Sequence, residues 1–314
     1  MMGPTALTAT WDDGLFVYTA ENCHRELAGH SVGALAPDGQ GGALAIVSGH
    51  TVRRRTPDGE WITIATSESH LSCCLPVGEV IYVGTDDARV LRVGKAGDVE
   101  PLLGFEALAG RDSWYAGSAV INGQRVGPPL GIRSLTATAD RRVLLANVHV
   151  GGIPRSTDGG ATWEPTIDID TDVHEVCAHA TTPAIVIAAA AVGLCISHDG
   201  GATWTVEQDG LHASYCSAAG FMGNDILVAA STDHFAAEGG IYRRAIDGRQ
   251  PFEPVGGGLP RWIDGIADTR CIATHRSAAA VADRAGNLWL STDGARTWVR
   301  RAQALPAPSS VLIL

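Results

Sequence analysis

The chain is a succession of short apolar runs separated by turns rich in Gly, Asp and Pro. The segments "AIVIAAAA", "GLCIS" and "DILVAAST" are typical of these runs, and β-branched or small residues dominate them. Apolar runs of about four to eight residues between turn signals predict buried β strands rather than helices. The predicted strands follow one another in groups of four, which indicates a fold built from repeated four-stranded units.

One eight-residue pattern recurs along the chain and measures the length of this unit. It reads "STDGGATW" at Ser156–Trp163, "SHDGGATW" at Ser197–Trp204 and "STDGARTW" at Ser291–Trp298. The first two copies start 41 residues apart and the last two 94 residues apart, which is twice 47. Weaker copies occur at Ala245–Pro254 and Arg55–Trp61. A unit of about 40–48 residues is the size of one four-stranded blade of a β-propeller.

The chain is therefore predicted to be all-β: a single seven-bladed β-propeller domain over residues 1–314, with four antiparallel strands per blade. The N-terminal segment supplies three strands and "SSVLIL" at the C-terminus supplies one, so the two ends share a blade and close the ring. An insertion is predicted over residues 104–130. The blades are predicted at residues 1–28 plus 309–314, 29–66, 67–103, 131–168, 172–209, 213–256 and 266–303.

The three strong copies of the pattern resemble Asp-boxes, also called BNR repeats, which read S-x-D-x-G-x-T-W in sialidase-like β-propellers. The resemblance covers Ser156–Trp298 and, more faintly, the chain from Arg55. It implies a sialidase-like propeller fold. It implies little about activity, because such propellers include glycosidases, photosystem assembly factors and receptor ectodomains, and one fold hosts unrelated functions.

Each copy is predicted to be a structural hairpin between the third and fourth strands of a blade rather than a catalytic site. The Asp side chain bonds local backbone amides, Gly supplies a positive φ angle, and Trp packs between blades. Because the blades are equivalent, the copies lie on the outer rim, far apart and turned away from the central channel. The residues with these structural roles are Asp158, Trp163, Asp199, Trp204, Asp293 and Trp298.

Charge and composition disfavour several classes of function. The formal net charge is −11, which argues against nucleic-acid binding because phosphate contacts require a basic surface. No stretch approaches the roughly 18 uninterrupted apolar residues of a membrane span, and no secretory signal is expected at the N-terminus. The seven cysteines contain no C-x-x-C pair. These features predict a cytoplasmic protein with free thiols.

The repeat alignment places seven of the eleven histidines at one end of the central channel, which we call the channel mouth. Loops that precede the innermost strands and loops between second and third strands form it, opposite the repeated hairpins. Imidazoles converging there from several blades are suitable nitrogen ligands for Fe, Cu or Zn. A metal-free polar pocket and scattered surface histidines are the alternatives. The candidate metal ligands are His30, His70, His149 and His174.

Two arginines and a tyrosine also map to the channel mouth. Arg133 and Arg270 are predicted to bind substrate, because two guanidiniums can clamp a carboxylate or a phosphate. Pairing of these arginines with local acids such as Asp268 is the alternative. His174 and Tyr215 are the candidate catalytic residues. Sialidases also combine arginines, a tyrosine and acids, but here the alignment places no third arginine and the N-terminal Arg-Ile-Pro element is missing.

The insertion at residues 104–130 is about 20 residues longer than the other connections between blades, and long loops in compact domains are usually functional. It contains Trp114 and Tyr115, which are predicted to contact substrate. A lid or a wall of the pocket is the functional interpretation, and a packing appendage is the alternative.

Two classes of function remain open. The first is a cytoplasmic enzyme that acts on a small, anionic molecule at the channel mouth, with or without a metal ion. The second is a non-catalytic scaffold whose channel mouth binds another protein, and a sialidase-type glycosidase is a third, less favoured alternative. A deep polar pocket would favour the enzyme, and a flat patch with exposed apolar groups would favour the scaffold.

Overall fold

The computed structural model describes residues 3–115 and 130–314, together with the backbone of residues 119–121 and 124–126. Seven four-stranded antiparallel blades surround one channel, and blade 6 carries an additional two-residue strand. The innermost strands of neighbouring blades contact one another around the complete ring. The predicted seven-bladed propeller is therefore confirmed.

The strands are numbered in chain order. Blade 1 begins with β1 (Ala6–Thr10), β2 (Leu15–Tyr18) and β3 (Cys23–Glu26); blade 2 has β4 (Val32–Pro37), β5 (Ala43–Val47), β6 (Thr51–Arg55) and β7 (Trp61–Thr66); blade 3 has β8 (Leu71–Val77), β9 (Val80–Thr85), β10 (Val90–Val93) and β11 (Val99–Pro101). After the hairpin β12 (Ala119–Ile121) and β13 (Gln124–Val126), blade 4 has β14 (Ile132–Ala137), β15 (Leu144–Val148), β16 (Pro154–Ser156) and β17 (Glu164–Pro165); blade 5 has β18 (Val173–Ala178), β19 (Val186–Ala190), β20 (Gly193–Ser197) and β21 (Thr205–Glu207). Blade 6 has β22 (Tyr215–Met222), β23 (Asp225–Ser231), β24 (Glu238–Ala245), β25 (Glu253–Pro254) and β26 (Ile263–Asp264); blade 7 has β27 (Ile272–His275), β28 (Ala278–Ala282), β29 (Leu288–Ser291) and β30 (Val299–Ala302); β31 (Pro308–Ile313) completes blade 1.

Helical structure is confined to three short segments in the described part of the chain. They are α1 (Leu103–Glu106) and two 3-10 helices, Arg111–Ser113 and Ile169–Thr171. No helix among the described residues is long and apolar enough to cross a bilayer. The predicted lid at residues 104–130 includes 116–118, 122–123 and 127–129, which lie outside the described residues.

The ring closes by pairing the two ends of the chain, as predicted. The C-terminal strand β31 is the innermost strand of blade 1 and pairs antiparallel with β1, with Leu312 opposite Leu7. Beyond the strands, the Thr5 and Leu314 backbones exchange hydrogen bonds of 3.2 and 2.9 Å. Closure leaves no innermost strand unpaired within its blade, which removes a sheet edge that would otherwise invite aggregation.

The apolar core lies between neighbouring blades. Ile46 and Val52 of blade 2 pack in one cluster with Val83 and Leu91 of blade 3. Because each blade is covered on both faces by its neighbours, the second strands β5, β19 and β28 are buried at every position. Strands buried on both faces read as continuous apolar runs rather than alternating ones, which explains the hydrophobic pattern of the sequence.

Six innermost strands share a β-bulge near the channel mouth. In each, two residues that flank the bulge pair with consecutive residues of the second strand, so the residue between them has no partner in the ladder. A bulge redirects the backbone and side chain of its extra residue. The bulged residues are Gly33, Ser72, Arg133, His174, Ser217 and Ser309.

Each of the three repeated hairpins joins the third and fourth strands of its blade and is held by its aspartate. Asp199 Oδ1 accepts hydrogen bonds from Ser197 Oγ at 2.8 Å and from the Thr203 backbone N–H at 2.9 Å, and Oδ2 accepts from Thr203 Oγ1 at 2.6 Å. Asp158 and Asp293 make the equivalent contacts within 0.1 Å of these distances. The carboxylates are therefore occupied by local turn contacts.

The tryptophans of the hairpins connect each blade to its surroundings. Trp204 Nε1 donates to Thr166 Oγ1 of blade 4 at 3.1 Å. The Trp163 ring packs edge-on against Phe105 of α1, with ring centroids 5.1 Å apart. Trp298 is buried in the cluster that joins blades 6, 7 and 1.

We expect Asp199→Ala to lower the melting temperature by roughly 2–6 °C, because several charge-assisted hydrogen bonds of one hairpin are lost. Metal and ligand binding per folded molecule should not change. The control is His198→Ala in the same hairpin, whose side chain is exposed. Differential scanning fluorimetry and a binding titration check this, and loss of binding at unchanged stability would contradict the structural role.

Candidate functional site

The guanidinium of Arg270 spans the central channel and binds the backbones of three other blades. Its Nη1 donates to the carbonyl oxygens of Ser72 at 3.0 Å and Arg133 at 2.7 Å, and its Nη2 donates to the carbonyl oxygen of Gly33 at 3.2 Å. All three acceptors are bulged residues whose carbonyls are free of the strand ladder. Arg270 thereby joins blades 2, 3 and 4 to blade 7 across the axis.

This position differs from the predicted substrate clamp, because Nη1 and Nη2 of Arg270 already bind three backbone carbonyls, while its Nε is buried and has no hydrogen-bond partner. Arg270 instead forms a partition inside the channel. It lines the cavity of about 570 Å³ at the channel mouth and also the cavity of about 450 Å³ at the opposite end. Arg270 therefore forms the floor of the channel mouth.

Glu175, on the innermost strand of blade 5, fixes the backbone of Arg270 in blade 7. Its Oε1 accepts from the Arg270 N–H and its Oε2 accepts from the Ala219 N–H, each at 3.2 Å. Burial raises the pKa of Glu175 to about 7, although these hydrogen bonds and the nearby arginines oppose that shift. The carboxyl group therefore changes charge near neutral pH at the centre of the ring.

Two of the predicted metal ligands, His149 and His174, meet at Asp172 on blades 4 and 5. His149 Nε2 lies 3.4 Å from Asp172 Oδ1, and His174 Nε2 lies 3.7 Å from Asp172 Oδ2. One ligand atom from each residue lies within 4.8 Å of the other two. We call these three residues the His/Asp triad, and their arrangement can hold a metal ion.

Local backbone geometry brings the triad together. His149 occupies the tight turn from β15 to β16, and its N–H donates to the Gly131 carbonyl at 3.0 Å. Asp172 follows the second 3-10 helix with φ +50°, a left-handed conformation that turns the chain into β18. His174 is the bulged residue of β18. All three residues therefore lie outside the regular strand ladder, and this lets their side chains approach one another.

The buried imidazoles of the triad present free nitrogen atoms. His174 Nδ1 donates to the Cys216 carbonyl at 2.6 Å, which leaves Nε2 without a hydrogen. His174 Nε2, His149 Nδ1 and Asp172 Oδ1 are buried atoms with no hydrogen-bond partner. Unsatisfied buried polar atoms are rare and point to an ion or a ligand. The donor set of two imidazoles and one carboxylate fits a transition metal.

The surroundings of the triad hold His149 and Asp172 in the protonation states that bind a cation. Burial and, secondarily, the Arg133 guanidinium lower the pKa of His149 to about 3, so its imidazole is neutral at physiological pH. Burial alone would raise the pKa of Asp172, but His174, His149 and Arg133 outweigh it and hold that pKa below its usual range. Neutral imidazole and ionised carboxylate are the forms that bind metals.

Tyr215 and Arg133 stand beside the triad. The Tyr215 ring lies against His174, with centroids 4.5 Å apart, and burial raises its pKa. Arg133 Nη2 donates to Thr269 Oγ1 at 2.7 Å and to Asp268 Oδ1 at 3.3 Å. Arg133 therefore makes the local acidic contact that was the alternative to substrate binding, while it also lines the cavity at the channel mouth.

The other two predicted metal ligands lie on blades 2 and 3 and do not join the triad. His30 is exposed, and its Nδ1 lies 3.3 Å from Ser48 Oγ. His70 Nδ1 lies 2.6 Å from Asp86 Oδ2, and the imidazole edge packs against His50. The His70–Asp86 pair lines the 570 Å³ cavity, whereas the triad residues are not part of that lining.

The two aromatic residues predicted to contact substrate have different environments. Trp114 packs against Phe105 with ring centroids 5.9 Å apart, and Arg111 stacks on its indole at 4.7 Å. Trp114 therefore anchors the insertion to the core. Tyr115 is exposed, and its hydroxyl donates to Asp170 Oδ1 at 3.3 Å, in the 3-10 helix that leads to Asp172.

All seven cysteines are free. Burial raises the pKa of Cys73 to about 11 and that of Cys74 and Cys177 to about 12, and it also raises the pKa of Cys216 and Cys271. Thiols with raised pKa values are poor nucleophiles. These innermost-strand cysteines therefore act as small core residues.

Sequence reasoning did not identify Asp172 as a ligand or Arg284 as a neighbour of the site. A signal existed for the first: Asp172 stands two residues before His174, as Asp268 stands two residues before Arg270 in the repeat alignment. Both aspartates end the connection between blades and face the channel mouth. A similar signal existed for Arg284. The turn after β28 is closed by the same backbone hydrogen bond as the turns after β1, β9 and β15, where Trp11, Asp86 and His149 stand at the equivalent position.

Comparison with solved structures supports the fold. The chain is similar to a "putative 6-phosphogluconolactonase" from Bacteroides uniformis (TM-score 0.64, 12% identity, 99% of both chains). It is similar to another from Bacteroides fragilis (TM-score 0.62, 13% identity, 99% of this chain and 98% of that chain). The GH74 xyloglucanase from Xanthomonas campestris matches with TM-score 0.60 and 15% identity over 96% of this chain and 47% of that one. No protein-family model and no curated protein matches the sequence, so the likeness shows the propeller fold alone.

We expect Arg270→Met to lower the melting temperature by roughly 10 °C, because three carbonyl groups in blades 2, 3 and 4 lose a charged donor. The substitution keeps the long apolar stem. Arg300→Met on the exposed outer strand of blade 7 is the matched control. A melting temperature within about 2 °C of this control would contradict the structural role of Arg270.

Glu175 should make stability depend on pH near neutrality. Its pKa is raised in the folded protein, so the folded state binds this proton more tightly than the unfolded state does. The resulting contribution to the free energy of unfolding is complete at low pH and is lost as pH rises through about 7. We therefore expect the melting temperature of the parent protein, relative to Glu175→Gln, to fall between pH 5 and pH 8. The control is Glu253→Gln on an exposed strand. A difference in melting temperature between the parent protein and Glu175→Gln that does not change with pH would contradict this prediction.

Proposed function

We propose that this protein is a metal-dependent enzyme that acts on a small anionic molecule at the channel mouth. The observation that carries the proposal is the His/Asp triad. One ligand atom each of His149, Asp172 and His174 lies within 4.8 Å of the other two, and each of the three residues has a buried polar atom without a hydrogen-bond partner. Leaving such atoms unpaired costs free energy unless an ion compensates. Fe, Cu and Zn all accept this donor set.

Three protein ligands are the hallmark of a catalytic rather than a structural metal site, because they leave a coordination position open. A metal ion bound there would polarise a substrate oxygen or lower the pKa of a bound water. The Cys216 carbonyl accepts the Nδ1–H of His174 and fixes this tautomer, so that Nε2 is free to bind a metal ion. Tyr215, packed on His174 with a raised pKa, remains protonated and can donate a hydrogen bond to substrate.

The cavity at the channel mouth supports a small-molecule substrate. Its volume of about 570 Å³ is within the usual range for ligand pockets, and Arg133 and His70 line it. Arg270 closes its floor through three backbone hydrogen bonds. The two lactonase-like structures are named for action on a phosphorylated sugar lactone, and an anion of that kind is compatible with a cavity lined by arginine.

The repeated hairpins are proposed to be Asp-boxes in the BNR sense. Support comes from the near-identical hydrogen bonds of Asp158, Asp199 and Asp293, at equivalent positions in three blades. The seven free cysteines are consistent with the proposed cytoplasmic location, because thiols persist in reducing compartments.

A protein-binding scaffold is the second candidate, favoured by exposed aromatic side chains near the channel mouth. Phe235 is 69% exposed and Trp11 is 47% exposed, and both lie in loops between second and third strands. Aromatic residues are enriched in protein interfaces. A scaffold would keep its partner after the triad is altered, whereas the enzyme would lose both metal and activity.

We expect the purified protein to bind about one equivalent of Zn²⁺, and His149→Ala and His174→Ala each to abolish this binding, because each removes one of three ligands. The matched control is His198→Ala, an exposed histidine in a hairpin at the opposite face. Elemental analysis of protein grown with Fe, Cu or Zn, followed by calorimetric titration with ZnCl₂, measures this. Absence of metal under every condition would remove the metalloenzyme from consideration.

A further inference from the structure

We infer that Arg133 and Arg284 form a subsite for a phosphate or carboxylate group of the substrate, next to the His/Asp triad. The inference rests on the proposed function for its location, since it places the anionic part of the substrate beside the metal ion. Arg284 takes the place of Arg270 as the second arginine, because Nη1 and Nη2 of Arg270 bind backbone carbonyls.

The two guanidiniums face one another across a single carboxylate. Arg133 Nη2 lies 3.3 Å from Asp268 Oδ1, and Arg284 Nη2 lies 3.7 Å from Asp268 Oδ2. Asp268 is itself fixed by the Thr269 backbone N–H, which donates to Oδ1 at 2.8 Å. One carboxylate thus positions two arginines without satisfying all of their donors.

Both arginines reach open space. Arg133 lines the 570 Å³ cavity, while Arg284 and Asp268 line a neighbouring cavity of about 260 Å³. Trp11 lines both cavities and stands at their boundary. The side chain of Arg284 is 36% exposed, and its Nη1 donates to the His234 carbonyl at 2.6 Å, which holds the guanidinium toward the channel mouth. An anion that enters from the mouth therefore meets oriented donors.

The charge balance makes anion binding depend on the metal. Arg133 and Arg284 carry two positive charges, and Asp268 and Asp172 carry two negative charges, so the four groups cancel. A divalent ion in the triad would leave the site with a net charge of about +2, since the bound imidazoles are neutral. Anions bind where positive charge and oriented N–H donors coincide. The metal and the anion are therefore expected to strengthen one another's binding.

Arg284 is the residue to test, because Arg133 also holds Thr269 and its own carbonyl binds Arg270. The variant is Arg284→Gln, and the matched control is Arg300→Gln on the exposed outer strand of the same blade. Calorimetry measures the binding of ZnCl₂, then of sodium sulfate and of sodium acetate, with and without zinc at constant ionic strength. Sulfate represents a tetrahedral dianion such as a phosphate ester, and acetate represents a carboxylate.

We expect zinc to tighten sulfate or acetate binding to the parent protein and to the control. Arg284→Gln should weaken anion binding about tenfold or more, since a hydrogen bond to a charged group is lost, while its zinc affinity stays within about twofold. The anion that binds more tightly identifies the substrate group. A melting curve confirms that the variant is folded.

Three outcomes separate this inference from the proposed function. If zinc binds but neither anion does, the arginine subsite is overturned and the metal site stands. The same holds if zinc binds and Arg284→Gln binds the anion as tightly as the control does. Anion binding that depends on Arg284 in a protein that takes up no zinc supports the subsite and overturns the metal. Binding of neither zinc nor anion overturns both.

Discussion

The guanidinium of Arg270, bound to three carbonyl groups across the channel, is the interaction on which the arrangement of the channel mouth depends. A four-stranded blade has no strong contact with blades beyond its neighbours, so the axis of a propeller is open unless a side chain bridges it. The bulges at Gly33, Ser72 and Arg133 release carbonyl oxygens toward the axis, and one planar group with several donors satisfies them. The bridge is possible because a bulge recurs at the same height in successive blades.

This partition divides the channel and assigns different roles to its two sides. Below it, the Glu175 carboxylate of blade 5 accepts hydrogen bonds from the backbone N–H groups of Ala219 in blade 6 and Arg270 in blade 7. Above it, the side chains that can bind a metal ion, His149, Asp172 and His174, gather on blades 4 and 5. The hairpins held by aspartate lie on the other face and serve the blades themselves. Structural and chemical residues are thus separated by face rather than by position along the chain.

The fold could be predicted from the sequence because a propeller repeats its unit, and the Ser156–Trp163 pattern sets the register of every blade. The same register placed His149 and His174 at the channel mouth. It could not show that they meet at Asp172, because that contact depends on a left-handed residue and on a bulge, which are properties of single residues rather than of the repeat. It also could not show that the Arg270 side chain crosses the channel to backbone carbonyls, since repeat alignment gives a residue's position but not the direction of its side chain.

The most direct test of the proposed metal site is an anomalous difference map from a crystal soaked in ZnCl₂, with data collected on both sides of the zinc absorption edge. We expect one strong peak about 2.0–2.2 Å from atoms of His149, Asp172 and His174, with Arg270 still bound across the channel. A peak at another group of residues, or no peak at the channel mouth at saturating zinc, would contradict it.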